Sequence, residues 1–152
     1  MNRALCLSVL PAAFLLAAGC APLMRMIDPT IERSDMLQSA VREFMGGYLH
    51  SHADEGRGAS LYVHPSIRQK FVEDLRARNI KVTQIDLEKW SWVRDEKGKE
   101  NTKRASTRIA MDYTARNSIV VKRMYLDLLW DYKAGDWLIT DGLFPAADPA
   151  GG

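Results

Sequence analysis

The apolar positions of the chain change period once, and the change divides it. Leu37, Val41, Phe44, Met45 and Tyr48 recur at three- and four-residue steps, with Ala40 inside the same stripe. That spacing gathers side chains on one side of a helix. Asp28-Pro29 offers a capping carboxylate followed by a proline in the first turn, so the pattern predicts a helix over about Pro29–Leu49. Gly46-Gly47 weakens it by about 1 kcal/mol per glycine relative to alanine and points to a kink or a close backbone contact. Residues 50–59 are polar and glycine-bearing, hence a loop, and Leu61-Tyr62-Val63 is a short buried segment. Ile67, Phe71 and Leu75 then repeat every four residues. Ser66 and Gln69 form a capping-box pattern behind Pro65, which predicts a second helix over 66–78, stopped near Asn79.

Beyond Asn79 the period falls to two. Four strands are predicted, over 81–93, 103–114, 119–132 and 137–143. Their connections are short: 95–101 around Gly98, the pair Asn117-Ser118, and Lys133-Ala134-Gly135. Short turns join antiparallel neighbours. The fold class is therefore α+β, with two N-terminal helices packed on a curved four-stranded antiparallel meander.

Charges set the register. With Asn117-Ser118 as a two-residue loop, Asp112 faces Arg123, Arg108 faces Asp127 and Arg104 faces Asp131. The other face then pairs Met111 with Met124, Ile109 with Leu126, Thr107 with Leu128 and Ala105 with Trp130. A one-residue slip would mix the two faces. The same reasoning puts Ile85 and Leu87 beside Met111 and Ile109, and Glu88 opposite Arg108. It leaves Trp90 and Trp92 on the charged face. A three-residue glycine turn in the last hairpin sets Ile139 beside Leu129 and sends Trp137 to the charged face too.

The first 20 residues stand apart. Met1-Asn2-Arg3 is a short positive start, and residues 4–16 are apolar, interrupted by Pro11. A run of ~13 residues is too short for ~30 Å of hydrocarbon, which takes about 20 in a helix. It fits the core of a signal peptide. Leu15-Leu16-Ala17-Ala18-Gly19-Cys20 closes the run and resembles the lipobox of a bacterial lipoprotein. The plainer alternative is an ordinary signal peptide cut at the same place. The resemblance implies cleavage between Gly19 and Cys20, and lipidation of Cys20 with a thioether-linked diacylglycerol and an N-acyl chain. It implies a chain held on a membrane, because two or more fatty chains hold firmly where one binds marginally. Ala21, where an aspartate would favour inner-membrane retention, leans toward the outer membrane facing the periplasm. The organisation is then leader 1–19, tether 20–28, domain 29–144 and a loose proline- and glycine-rich tail 145–152.

Removing the leader takes away only Arg3 among the charges, and the formal net charge falls from +2 to +1. Near-neutrality gives no support for a nucleic-acid partner. Cys6 leaves with the leader and Cys20 is taken by lipid, so no thiol remains for a disulfide.

Two helices followed by a meander ending Trp130-Asp131-Tyr132 to Gly135-Asp136-Trp137-Leu138-Ile139 resembles the nuclear transport factor 2-like, or cystatin-like, domains over about residues 31–144. That superfamily includes isomerases, dehydratases, ligand binders and non-catalytic scaffolds. In it helices cover the concave side of the sheet and the outer side often forms a dimer interface.

No residue set in the sequence is assigned to catalysis, to a metal or to a cofactor. His50 and His52 make an H-x-H pair that needs His64 or Asp54 as a third ligand, and a loop does not fix their facing. Arg108, Asp127 and Asp141 form a row of charges, but no tyrosine–aspartate pair matches the ketosteroid-isomerase relatives. The expected partner-binding set is Trp90, Trp92, Tyr125, Leu129, Trp137 and Ile139 on the outer face. Large apolar groups beside arginine fit a homodimer or an envelope protein partner. Burial under another element and a small-ligand groove are the competing readings. The function expected is a membrane-anchored envelope protein acting as a non-catalytic binding or scaffold module. The alternative is a small-molecule binder or enzyme using the interior of the cone.

Overall fold

A computed structural model describes residues 28–115 and 117–143. The leader, Cys20, the tether before Asp28 and the tail lie outside the described residues. The elements run α1 (Pro29–Leu49), α2 (Ser51–Asp54), α3 (Arg57–Ser60), α4 (Pro65–Arg78), β1 (Ile80–Arg94), β2 (Glu100–Ala115), β3 (Lys122–Lys133) and β4 (Asp136–Asp141). The strands form one open antiparallel sheet in sequence order, with helices on one face, so the fold is α+β.

Local chemistry accounts for the helix ends. Asp28 Oδ1 accepts from Thr30 N at 2.9 Å, and Pro29 occupies the first turn, where its missing N–H costs nothing. The predicted Ser66–Gln69 box does not form. Instead His64 caps α4, its Nδ1 accepting from Ser66 N at 3.3 Å, and Gln69 donates to Glu73. Asn79 ends α4 in the left-handed region with φ +48°. The predicted loop over 50–59 contains α2 and α3. Gly47 makes the predicted close backbone contact, since a Cβ there would lie 2.4 Å from Ala59 N, whereas one on Gly46 would meet nothing within 4 Å. The backbones of α1 and α3 touch at this point while α1 continues unbroken.

The β2–β3 register is the predicted one. Arg104 pairs with Asp131, Arg108 with Asp127 and Asp112 with Arg123, while Ala105 pairs with Trp130 and Ile109 with Leu126. The loop is longer than predicted, because β3 begins at Lys122 and not at Ile119.

The two edge strands depart from the predicted registers. Ile85 pairs with Met111 and Leu87 with Ile109 as expected, but Glu88 is then an extra residue and Lys89 pairs with Arg108. This bulge shifts the following side chains to the opposite face. Trp90 pairs with Thr107 and Trp92 with Ala105, on the core face. At the other edge, Ala134 and Gly135 have φ +53° and +99°. Positive φ at both central positions is the type I′ pattern of a two-residue loop. Lys133 therefore pairs with Asp136, one step from the three-residue-turn register, and Ile139 lies beside Trp130. Trp137 is 3 % exposed and Ile139 is fully buried, both on the core face.

The core is aromatic. Phe44 touches Tyr48, Phe71 and Trp130, and Tyr48 touches Phe71, with ring centroids 5.6–6.3 Å apart. Trp130 Nε1 donates to Thr107 Oγ1 at 2.9 Å, so the one polar atom of the indole has a partner. A second cluster closes the end where α1 starts. Trp92 of β1 stacks on Trp137 of β4 with centroids 5.9 Å apart. A flat sheet with strands about 4.7–4.9 Å apart would hold those strands roughly 14 Å from each other. The sheet therefore curls inward there, across the small Ala105. Trp137 Nε1 donates to Arg33 O at 3.1 Å, and the Arg33 guanidinium lies 5.6 Å from the Tyr132 ring centre.

Candidate functional site: the outer sheet face and an adjacent groove

Alternation along β2 and β3 leaves Arg104, Ser106, Arg108 and Asp112 on the outer face with Arg123, Tyr125, Asp127, Leu129 and Asp131. Arg104 Nε meets Asp131 Oδ1 at 2.9 Å, and Arg123 makes a two-pronged contact with Asp112 at 2.6 and 2.9 Å. The hydrogen bonds from Arg123 hold the Asp112 carboxyl below its ordinary range and raise the guanidinium in turn. Arg108 stands at the centre. Its Nε lies 3.6 Å from Glu88 and 3.8 Å from Asp127, and its guanidinium covers the Tyr125 ring at 4.8 Å. Tyr125 is 40 % exposed. Beside this row lies a hollow of about 390 Å3 bounded by Lys89, Ser106, Asp127, Leu129 and Asp141.

Of the six residues expected to bind a partner, this face carries two, Tyr125 and Leu129. Trp90, Trp92, Trp137 and Ile139 belong to the concave side and pack on or within the core. The bulge at Glu88 and the type I′ turn account for all four. Among the two wrong-face pairs, only the tryptophans of β1 remain half-buried.

A second concavity, of about 580 Å3, lies between α1 and β4. Met36, Ala40, Trp137 and Leu138 give it apolar walls, Leu61 stands exposed at its rim, and Glu43, Tyr62, Arg68 and Asp136 supply polar groups. The Tyr62 hydroxyl donates to a Glu43 carboxylate oxygen in a short hydrogen bond, which pushes the phenol up to about 12. Arg68 donates twice to Val63 O, at 3.0 and 3.2 Å. These residues come from α1, the segment before α4, α4 itself and β4. They are far apart in sequence and carry no spacing motif, so the chain gave no signal of the groove.

Two of the three histidines are engaged separately. His50 Nδ1 lies 2.8 Å from Gly46 O, and His64 caps α4. Among the described residues no three His, Cys, Asp or Glu side chains are grouped to hold a metal ion. Burial in the aromatic core pushes the Tyr48 phenol up to about 12, so it keeps its proton at neutral pH.

Compared with known proteins, the chain matches no family, no curated protein and no solved structure.

Proposed function

We propose that the chain is a bacterial envelope lipoprotein, anchored through Cys20, whose α+β domain is a non-catalytic binding module of the nuclear transport factor 2-like kind. The packed interior carries this reading. Phe44 and Trp130 are fully buried, and Tyr48 and Phe71 are 1 % exposed, in the space a ligand inside the cone would need. A substrate held at the centre of the cone, away from the groove between α1 and β4, would have to displace that aromatic cluster. Recognition then belongs to the surface, and the outer sheet face has the chemistry for it. Tyr125 and Leu129 stand among alternating Arg and Asp side chains, so a second copy turned by a two-fold axis meets a complementary row. An envelope protein presenting the same alternation would fit equally.

The test uses the mature lipoprotein extracted in mild detergent and cross-linked. Leu129→Arg combined with Tyr125→Ala should reduce the cross-linked product several-fold while the thermal unfolding profile stays unchanged. An undiminished product overturns the assignment of this face.

A further inference from the structure

The loop between β2 and β3 ends in three apolar residues that the described residues leave largely exposed. Ile119 is 97 % exposed, Val120 59 % and Val121 58 %. Three consecutive β-branched side chains in water are unusual in a loop only a few residues long, and such patches mark a binding role. Val120 N donates to Ser118 Oγ at 3.0 Å and Ser118 N to Ala115 O at 3.0 Å, so the tip has a defined turn.

Its place in the molecule is informative. Ile80 pairs with Ala115 at this end, where α4 runs into β1. The start of α1 is at the other end, where Arg33 Nη1 donates to Thr102 Oγ1 at 2.9 Å. Charge follows the same axis. Arg76, Arg78, Lys81, Lys122 and Arg123 cluster near the tip, against Glu55, Asp74 and Asp112. Each of those acids is already bonded to an arginine. Lys81, opposite Thr114, and Lys122, next to Val121, have no ion-pair partner among the described residues. An exposed apolar tip flanked by surplus lysine is the combination that binds an anionic bilayer.

We propose that the β2–β3 hairpin tip is a second membrane contact. Ile119, Val120 and Val121 enter the boundary between headgroups and acyl chains, and Lys81 and Lys122 face lipid phosphate. A second copy is the poorer occupant, since two tips meeting would bring Lys122 against Lys122. With the tip and Cys20 in one bilayer, the domain lies with α1, about 31 Å long, along the surface. The eight residues from Ala21 to Asp28, at most roughly 30 Å extended, allow that pose.

The contact does not depend on the acyl chains, so it is tested without them. The chain from Ala21 to Gly152 retains the whole described core, which lies between residues 28 and 143. It is floated with vesicles of phosphatidylcholine, alone or with one-third phosphatidylglycerol. Flotation is expected only with the anionic vesicles and should fall in high salt. Val120→Asp should weaken it by about tenfold or more, as losing one buried aliphatic side chain implies. Lys122→Gln should weaken it by about fivefold, the share of one lysine near an anionic surface. Equal flotation of wild type and Val120→Asp overturns the proposal, as does no flotation at all. So does a self-association, seen in sedimentation, that Val120→Asp abolishes. Unchanged thermal unfolding of both variants shows that the tip, and not the fold, was altered.

Discussion

The two faces of the sheet are built from the same strands and held by different forces. On the concave face, Ile109, Leu126, Leu128 and Trp130 are at most 1 % exposed, and stability comes from burial at about 25 cal/mol per Å2 of apolar area. On the outer face, Arg104–Asp131, Arg108–Asp127 and Arg123–Asp112 stand in solvent. Exposed ion pairs contribute little because water screens them and long side chains resist ordering. Their work is discrimination: a one-residue slip would turn them toward the core, and a two-residue slip would leave all three pairs unmade. One face stabilises the hairpin and the other specifies its alignment.

Substitutions on the two faces should therefore differ in kind. The largest effect is expected at Trp130→Ala, which empties the centre of the aromatic core and leaves Thr107 Oγ1 without its donor. A loss of about 3–5 kcal/mol, read from urea unfolding, is the range for such truncations. A loss near zero would mean that the concave face is not the source of stability. Trp92→Ala comes next. Trp92 is half-buried and stacks on Trp137, so a loss of about 1–3 kcal/mol is expected, below that of a fully buried indole. On an outer face, the same substitution would leave stability unchanged, so this variant directly tests the register beyond Glu88. Arg104→Ala should cost less than about 1 kcal/mol, with the difference shrinking in high salt.

The smallest effect is visible as a pH dependence. Arg123 lowers the Asp112 carboxyl in the folded state. A lowered carboxyl binds fewer protons folded than unfolded, so its stabilisation is full above the ordinary carboxylate range. It is lost as the pH falls through the depressed folded value. Asp112→Asn should remove that part of the acid sensitivity, making the urea midpoint flatter with pH on the acid side. An identical acid limb in both proteins would show that the pair does not tune the carboxyl.

How much the chain disclosed follows from the same contrast. The β2–β3 alignment was legible because three opposite charges and four apolar pairs repeat at equal steps on opposite faces. The close approach in the helical part was legible in outline, since Gly46-Gly47 announces it without naming Ala59 as the neighbour. The edges were not legible. No residue type marks Glu88 as a bulge, since a charged residue is as natural in an unbroken strand. Ala134 hides the type I′ turn, because alanine seldom takes positive φ and the sequence points to Gly135 alone. A one-residue difference at each edge carried four large side chains from the outer face to the core. Ile119-Val120-Val121 was read as strand on its β propensity, whereas nothing pairs with it and the strand starts at Lys122. The break in two-residue alternation at those positions was the available signal.

The proposed role rests on anchoring through Cys20, and the most direct test is the mass of the N-terminal peptide of the protein recovered from bacterial membranes. The account predicts a peptide that begins at Cys20, carries a diacylglycerol on sulfur and a fatty acyl group on nitrogen, and disappears from membranes in Cys20→Ser. An N-terminal peptide with an unmodified Cys20 thiol, or membrane recovery and maturation unchanged in Cys20→Ser, would contradict it.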